Sequence, residues 1–558
     1  MVTLEDGTEF QYKNSFGGNW LWDPSDPFNG GKANEWTPAI NESWTWGKDQ
    51  IRGVNLGGWL VLEPFISPAI FEKYQSAHVV DEYTLHTALK RDTSPDGGVK
   101  LLEEHYKTFI TERDFAEIAG AGLNWVRIPL AFWAIETYPE EPFIGQVSWQ
   151  YFLKAIQWAR KYGLRINLDL HAVPGSQNGW NHSGRLLRSG NWLKTVMGIA
   201  NAQRTLSYIR VLTQFISQPQ YADVVQMFGI VNEPYTIGTT VVADFYLEAY
   251  NMIRSITGIG KGPVISLFDE RPTLPLFASS KFLDGADRIS LDIHPYFAFG
   301  EAVQAAPESF VAGACSTYAP AVNRTWNGFG IISAGEWSLA INDCGKWVAQ
   351  TAVTKYDTKF GAGACKVWDD YENWTPAVVA GMTALWRAQA DALGDWFFWT
   401  WKIGPSMLTN KIEAPFWSYQ LGLERGWIPK DPRSAVGACA EAGTPETIPR
   451  PQPEAMPPYR VGSATAAAPT DTARFPWPPP ALVDQRDAAA LPQYTPTGSI
   501  VTLPVPTFTN PANPQQTLDA GSGWFNSQDT AGMYVPIQGC TYPDAWSAAG
   551  VPVPTKCP

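Results

Sequence analysis

The chain predicts a (β/α)8 TIM barrel with an N-terminal lasso and a Pro-rich C-terminal extension wrapped on the barrel. Two observations predict the barrel. Between Ile51 and about Trp401, eight short apolar, β-branched runs recur, separated by segments long enough for helices. Seven of the eight runs end in a residue that can bind or react, and a barrel keeps its chemistry at those strand ends. A doubly wound open sheet is the structural rival. Its crevice draws on only a few neighbouring strands, so the even spread of reactive ends favours closure.

In chain order, residues 1–50 hold few periodic segments but many Trp, Gly, Asn and Pro, and read as an N-terminal extension laid over a larger body. The barrel domain follows over 51–440. Its strand runs are IRGVNL from 51, NWVRIPL from 124, RINLDLH from 165, VVQMFGIVNE from 224, PVISLF from 263, RISLDIH from 288, GIISAGEW from 330 and GDWFFWTW from 394. Helical periodicity over Glu104–Ala119, Tyr151–Lys161, Thr205–Gln214 and Thr375–Leu393 supplies crossovers. Residues 441–521 turn to Pro, Ala and Thr, the composition of an extended segment. The last stretch, 522–558, is aromatic again and carries two cysteines, so it is expected to be clipped by its own disulfide on the barrel's outside.

Composition excludes several classes of partner. A net charge of −13 without a Lys/Arg run argues against nucleic acid and anionic lipid surfaces, which need clustered positive charge. The 26 Trp, 21 Tyr and 27 Phe exceed what the core needs, and exposed rings beside amides and carboxylates suit the apolar faces of sugars. Six cysteines without CxxC or CxxH spacing point away from zinc and toward disulfides in an oxidising compartment. The acceptor triplets at Asn41, Asn181, Asn323 and Asn373 agree with that compartment. The start, MVTLEDGTEF, is neither a signal peptide nor a membrane span; it is read as a mature or trimmed ectodomain.

The strand ends supply Asn55, Arg127, His171, Asn232 with Glu233, His294 with Tyr296, Glu336 and Trp399. Glu233 and Glu336 end the fourth and seventh runs, which face each other across a barrel mouth. Two carboxylates there can divide glycoside cleavage between a proton donor and an attacking group. Asn232 is placed to bind a sugar 2-hydroxyl, where hydrogen bonding strengthens most in the transition state. Arg127 is expected to orient a carboxylate, His171 and His294 to be polar pocket residues and not metal ligands, and Tyr296 to hydrogen-bond the attacking Glu336. Trp399 is assigned to the pocket floor; Trp401, on the same face of an ideal strand, is its alternative.

The stretches RGVNLGGWLVLEPFISPAIFE, VRIPLAFWAIE, NLDLHAVPGSQNGWNHSGR, GIVNEPY, DIHPYFAF and GEWSLAINDC, over about residues 50–440, together resemble the fungal exo-β-1,3-glucanases of glycoside hydrolase family 5. The resemblance implies a retaining double displacement without a cofactor, Glu233 as acid/base and Glu336 as nucleophile. It places Glu63, Arg127, His171, Asn232, His294, Tyr296 and Trp399 around the terminal glucose, and Phe299 with Trp180 as an aromatic clamp at the cleft mouth. Relatives carry phenylalanine and aspartate where this chain has Trp180 and Asn181. Asn181 would then sit in the cleft without a glycan, leaving Asn41, Asn323 and Asn373 as acceptors. Family pairing joins Cys315 with Cys439 and Cys344 with Cys365, and leaves Cys540 with Cys557. The implied activity is glucose release from β-1,3-glucan, with glucosyl transfer, by a monomer without an obligate protein partner. Its implied place is extracellular or in the cell wall, where some longer members are membrane-anchored. A β-glucosidase or β-1,6-glucanase is the rival within the family, and a catalytically silent glucan-binding wall protein the rival outside enzymes.

Overall fold

A computed structural model describes residues 1–4, 7–235, 237–350, 352–444, 458–461, 469–470, 472–508 and 513–554. All eight predicted runs form strands: β1 (Arg52–Asn55), β2 (Trp125–Ala131), β3 (Arg165–Ala172), β4 (Val225–Gly229), β5 (Val264–Phe268), β6 (Ile289–Ile293), β7 (Ile332–Ala334) and β8 (Trp396–Phe398). They are parallel and close in sequence order, with β8 pairing to both β7 and β1. The crossover helices are α1 (Glu112–Gly120), α2 (Val147–Tyr162), α3 (Gly198–Ile216), α4 (Thr239–Thr257), α5 (Leu276–Ser279), α6 (Val311–Gly328), α7 (Pro376–Leu393) and α8 (Tyr419–Arg425). The one-turn α5 explains why no helical pattern follows the fifth run.

One expected helix is two. The apolar period of Glu104–Ala119 is interrupted between Lys100–Thr108 and α1, because Asp114 accepts both the N–H and the hydroxyl of Thr111, at 2.8 and 3.0 Å, and starts a new helix there. Asp114 also accepts from Trp401 Nε1 at 3.0 Å, which draws Trp401 away from the barrel mouth.

Residues 1–50 cover the N-terminal ends of β1 to β3. Leu21 and Gly31 donate to the carbonyls of Lys161 and Arg160 at the end of α2. Arg165, the first residue of β3, donates to the carbonyls of Pro38 and Ala39, and Trp44 packs edge-on to Trp125 at 5.3 Å. Gly31 is required by that approach: a Cβ there would lie 2.4 Å from the Asn19 carbonyl and 2.5 Å from that of Lys161.

The C-terminal segment lies along α3 and meets the N-terminal extension where Phe508 touches Trp22 and Phe28. Every residue of α3 is buried, unusual for a barrel's outer ring, because this segment covers its outward face. Tyr494 N–H donates to Gln203, Tyr534 N–H to Ser207, and Arg210 forms a two-pronged pair with Asp529. Trp546 is buried against Phe143 and donates to Glu141.

Disulfides join Cys315 to Cys439 and Cys344 to Cys365. Cys557 lies outside the described residues, and the expected Cys540–Cys557 pairing with it. Asn41 and Asn373 are exposed. Asn323 corrects the expectation: it is 4% exposed inside α6, where the folded chain leaves no room for a glycan. Among the described residues no helix is long and apolar enough to cross a membrane.

Candidate active site

The strand ends converge on one cavity of about 440 Å³, within the range of small-ligand sites. Glu63, His171, Asn181, Glu233, Tyr296, Glu336 and Trp399 line it, with Trp180 and Phe299 toward solvent. Arg127, Asn232 and His294 stand behind this lining and hold it.

Arg127 is the hub. Its side chain is buried and its Nη1 donates to Glu336 Oε1 at 2.9 Å and to Asn55 Oδ1 at 3.0 Å. Its Nη2 donates to Asn232 Oδ1 at 2.8 Å and lies 3.0 Å from Asp169. Burial opposes the guanidinium charge, but Asp169, Glu336 and Asp292 outweigh it and raise its pKa. An arginine only donates, so the Asn232 oxygen must face it and the amide nitrogen must face away. That nitrogen is buried and unpartnered.

Glu336 has both oxygens occupied, the second by the Tyr296 hydroxyl at 2.8 Å. Glu233 Oε1 meets His294 Nδ1 at 2.6 Å, and the same nitrogen lies 3.5 Å from Glu336 Oε2. Burial alone would lower the His294 imidazole; the Glu336 and Asp292 carboxylates and the bond to Glu233 raise it to about 10, so it is a cation at neutral pH. Glu233, His294 and Glu336 each offer a donor atom, all within 4.8 Å of one another. Arg127 and His294⁺ supply the positive charge that this cluster needs.

Glu233 is held in an uncommon backbone state, with φ of 46°. Such a conformation costs on the order of 1–3 kcal/mol and persists where neighbours over-determine it. Here they do: Asn178 Nδ2 donates to the Glu233 carbonyl at 3.1 Å, Gln177 Nε2 to that of Asn232 at 2.8 Å, and Tyr235 N–H returns to Glu233 across Pro234. Neither Gln177 nor Asn178 stands out in the sequence except as part of a loop.

Two further residues were missed, and a signal for them exists. Asp169 and Asp292 each precede a site histidine by two positions, in DLH and DIH, and alternation puts both members on one strand face. Asp169 binds His171 Nδ1 at 2.6 Å; Asp292 accepts Gly335 N–H at 2.7 Å and lies 3.6 Å from His294 Nε2. Gly335 must be glycine, since a Cβ would lie 2.2 Å from the Asp292 carboxylate. Burial, then Glu336 against Arg127, leaves His171 lowered to about 3 and neutral. Its Nε2 is buried and unpartnered.

Glu63 is 5% exposed with one oxygen unpartnered, and burial, then Glu336 and Glu233, raise its pKa well above the carboxylate range. Trp399 lines the cavity and stacks on His171, with ring planes 9° apart. Trp401 instead is 1% exposed and bonded to Asp114; β8 ends at Phe398, so strand alternation does not reach it. At the mouth Trp180 is 36% exposed and Phe299 48% exposed. His182 and Trp347 also line the cavity, unmarked by any strand-end rule because they sit on loops.

Residues 91–265 match the sequence profile of the cellulase family, glycosyl hydrolase family 5. A probable glucan 1,3-beta-glucosidase D of Aspergillus niger is 36% identical over 440 residues, 74% of this chain and 50% of that protein. The chain belongs to glycosyl hydrolase family 5. The glucan 1,3-beta-glucosidase D of Emericella nidulans is 34% identical over 441 residues, again 74% of this chain and 50% of the relative. The chain thus spans about half the length of the curated relatives it matches. The crystal structure of a rutinosidase from Aspergillus niger shares the fold, with a TM-score of 0.52 and 18% identity over 70% of this chain and 100% of that one. Within a family 5 barrel, the two carboxylates that follow β4 and β7, Glu233 and Glu336, lie at the end where the fold places its chemistry.

Proposed function

We propose that the protein is a retaining, exo-acting β-1,3-glucanase that releases glucose from non-reducing chain ends and also transfers glucosyl units to sugar hydroxyls. The observation that carries the reading is the spacing of the carboxylates: an oxygen of Glu233 and one of Glu336 lie within 4.8 Å. Retaining glycosidases need about 5 Å between carboxyls, whereas inverting ones need roughly 6.5–9.5 Å to seat a water. Glu336, held by Arg127 at 2.9 Å, attacks the anomeric carbon. The bond to the leaving oxygen breaks with its electron pair going to that oxygen, which takes the proton of Glu233. Glu233 then recovers a proton from water or from an acceptor hydroxyl as the glucosyl–Glu336 bond breaks.

Exo action is supported by the gradient along the cavity. Glu63 lies at a buried end, while Trp180 and Phe299 stand at the open one. The unpartnered atoms His171 Nε2, Asn232 Nδ2 and Glu63 Oε1 suit the hydroxyls of one terminal sugar, which would give each of the three a partner. The names of the relatives support the β-1,3 linkage. Two disulfides and exposed acceptors at Asn41 and Asn373 support an extracellular place. The chain divides into an N-terminal extension over 1–50, a catalytic barrel over 51–440, an extended segment over 441–521 and a C-terminal segment over 522–558.

Products followed over time on laminarin and on pustulan test the reading. Glucose alone from the first minutes on laminarin, first released as the β-anomer, is expected. Early oligosaccharides, preference for pustulan, or binding to insoluble glucan without glucose release would each overturn it. The floor assignment has its own check. Trp399→Ala should weaken competitive inhibition by glucose by about 2 kcal/mol, the worth of a buried ring face. Trp401→Phe should leave that inhibition within about twofold but lower stability by about 1–2 kcal/mol through the lost bond to Asp114, read by urea unfolding.

A further inference from the structure

We propose that His182 is a positioning residue for the proton of Glu233, and that it also contacts the sugar on the far side of the scissile bond; this rests on the reading of Glu233 as the acid/base. Glu233 has two oxygens with different surroundings. Oε1 is bound at 2.6 Å by His294, a buried cation, and so holds the carboxyl's negative end. The proton to be delivered therefore belongs on Oε2. The group facing Oε2 is His182 Nε2, at 3.5 Å.

His182 is built for a fixed role. It follows Trp180 and Asn181 in a short 3-10 turn at the cavity wall, and its side chain keeps only 16% of its surface. Its ring lies 5.6 Å from Trp180 and 5.3 Å from His171, spanning the gap between the mouth and the inner pocket. The titratable groups that face it are His171, Glu336, His294, Asp169 and Glu233. Burial above all, with His171 next, lowers the imidazole to about 3 and keeps it neutral. A neutral ring presents a polar nitrogen to Oε2 without adding a second cation to the one that His294 already places on Oε1. Its Nδ1 is buried and unpartnered, so the ring's orientation is set by the Glu233 side and by tilted contacts with Trp180 and His171. A leaving sugar that receives a proton from Oε2 must pass between Glu233 and Trp180, within reach of this ring.

The test compares kcat/KM, which reports the first bond cleavage, on two substrates. Laminaribiose needs a proton on its leaving oxygen; 2,4-dinitrophenyl β-glucoside does not. His182→Leu should lower kcat/KM on laminaribiose roughly tenfold to a hundredfold and change it less than about threefold on the dinitrophenyl glucoside. His182→Gln, whose side-chain amide reaches the place of the imidazole Nε2 and can turn its oxygen to accept the Oε2 proton, should recover most of the loss. The ratio of transfer to hydrolysis with added laminaribiose acceptor should fall in the Leu variant and return in the Gln variant. Equal losses on both substrates, or no loss on either, would overturn the proposal. A wild-type protein inert on both would sink the glycosidase reading itself and this proposal with it.

Discussion

Glu336→Gln should lower turnover on laminarin on the order of 10⁵-fold, about 7 kcal/mol of barrier, without unfolding the protein. The reason the fold survives is the hydrogen-bonding pattern. Arg127 can only donate, so the glutamine oxygen must take the place of Oε1 at 2.9 Å. The new NH₂ then faces the Tyr296 hydroxyl, 2.8 Å away, which can turn from donor to acceptor. Asp169 stays beside Arg127 at 3.0 Å, so the guanidinium is not left unpaired. What is lost is the attacking oxygen, since an amide neither carries the charge nor forms the glycosyl ester. A 2-deoxy-2-fluoro-glucoside should add its sugar mass to the Glu336 peptide of the wild type and to no peptide of the variant. A variant within about a hundredfold of wild-type turnover would falsify the assignment of Glu336.

The same hydrogen bonds show why some of this site was legible in the sequence and some was not. Strand runs carry their own signal, a β-branched apolar stretch ending in a polar residue. Asn55, Arg127, His171, Glu233, His294 and Glu336 were all found that way. Arg127 follows Trp125 and Val126, and its expected role, orienting a carboxylate, matches its bond to Glu336. Asp169 and Asp292 were open to the same reasoning one step further, because two residues back on a strand is the same face. Gln177, Asn178, His182 and Trp347 were not, since a loop residue's direction depends on how the loop closes. The break at Thr111 was hidden by an apolar period that both helices share; a polar N-terminal pair decided it locally. Trp401 shows the converse. Alternation on an ideal strand put it beside Trp399, but β8 stops at Phe398 and the Asp114 carboxylate holds its indole elsewhere.

Glu233→Ala should divide substrates by their leaving groups. On laminaribiose kcat/KM should fall roughly 10³- to 10⁴-fold, the range for loss of a general acid. On 2,4-dinitrophenyl β-glucoside the first step should persist within about tenfold, because the phenolate leaves unaided. Its kcat should nevertheless fall, since no base then activates water against the glucosyl–Glu336 ester. Azide needs no base, and adding it should restore kcat and yield β-glucosyl azide, the anomer that two displacements require. The variant keeps the backbone cost at this position, because alanine at a φ of 46° is as constrained as glutamate and Asn178 still binds the carbonyl. The rescue should be incomplete. His294 Nδ1, freed from Glu233, is left 3.5 Å from Glu336 Oε2, and a cation there holds electron density on the nucleophile that the first step must spend. Azide should do nothing for His182→Leu, where the base is present and only its aim is disturbed. α-Glucosyl azide, the product of a single displacement, would make Glu233 and not Glu336 the nucleophile; equal losses on both substrates would mean that Glu233 acts through the shape of the pocket and not through its proton.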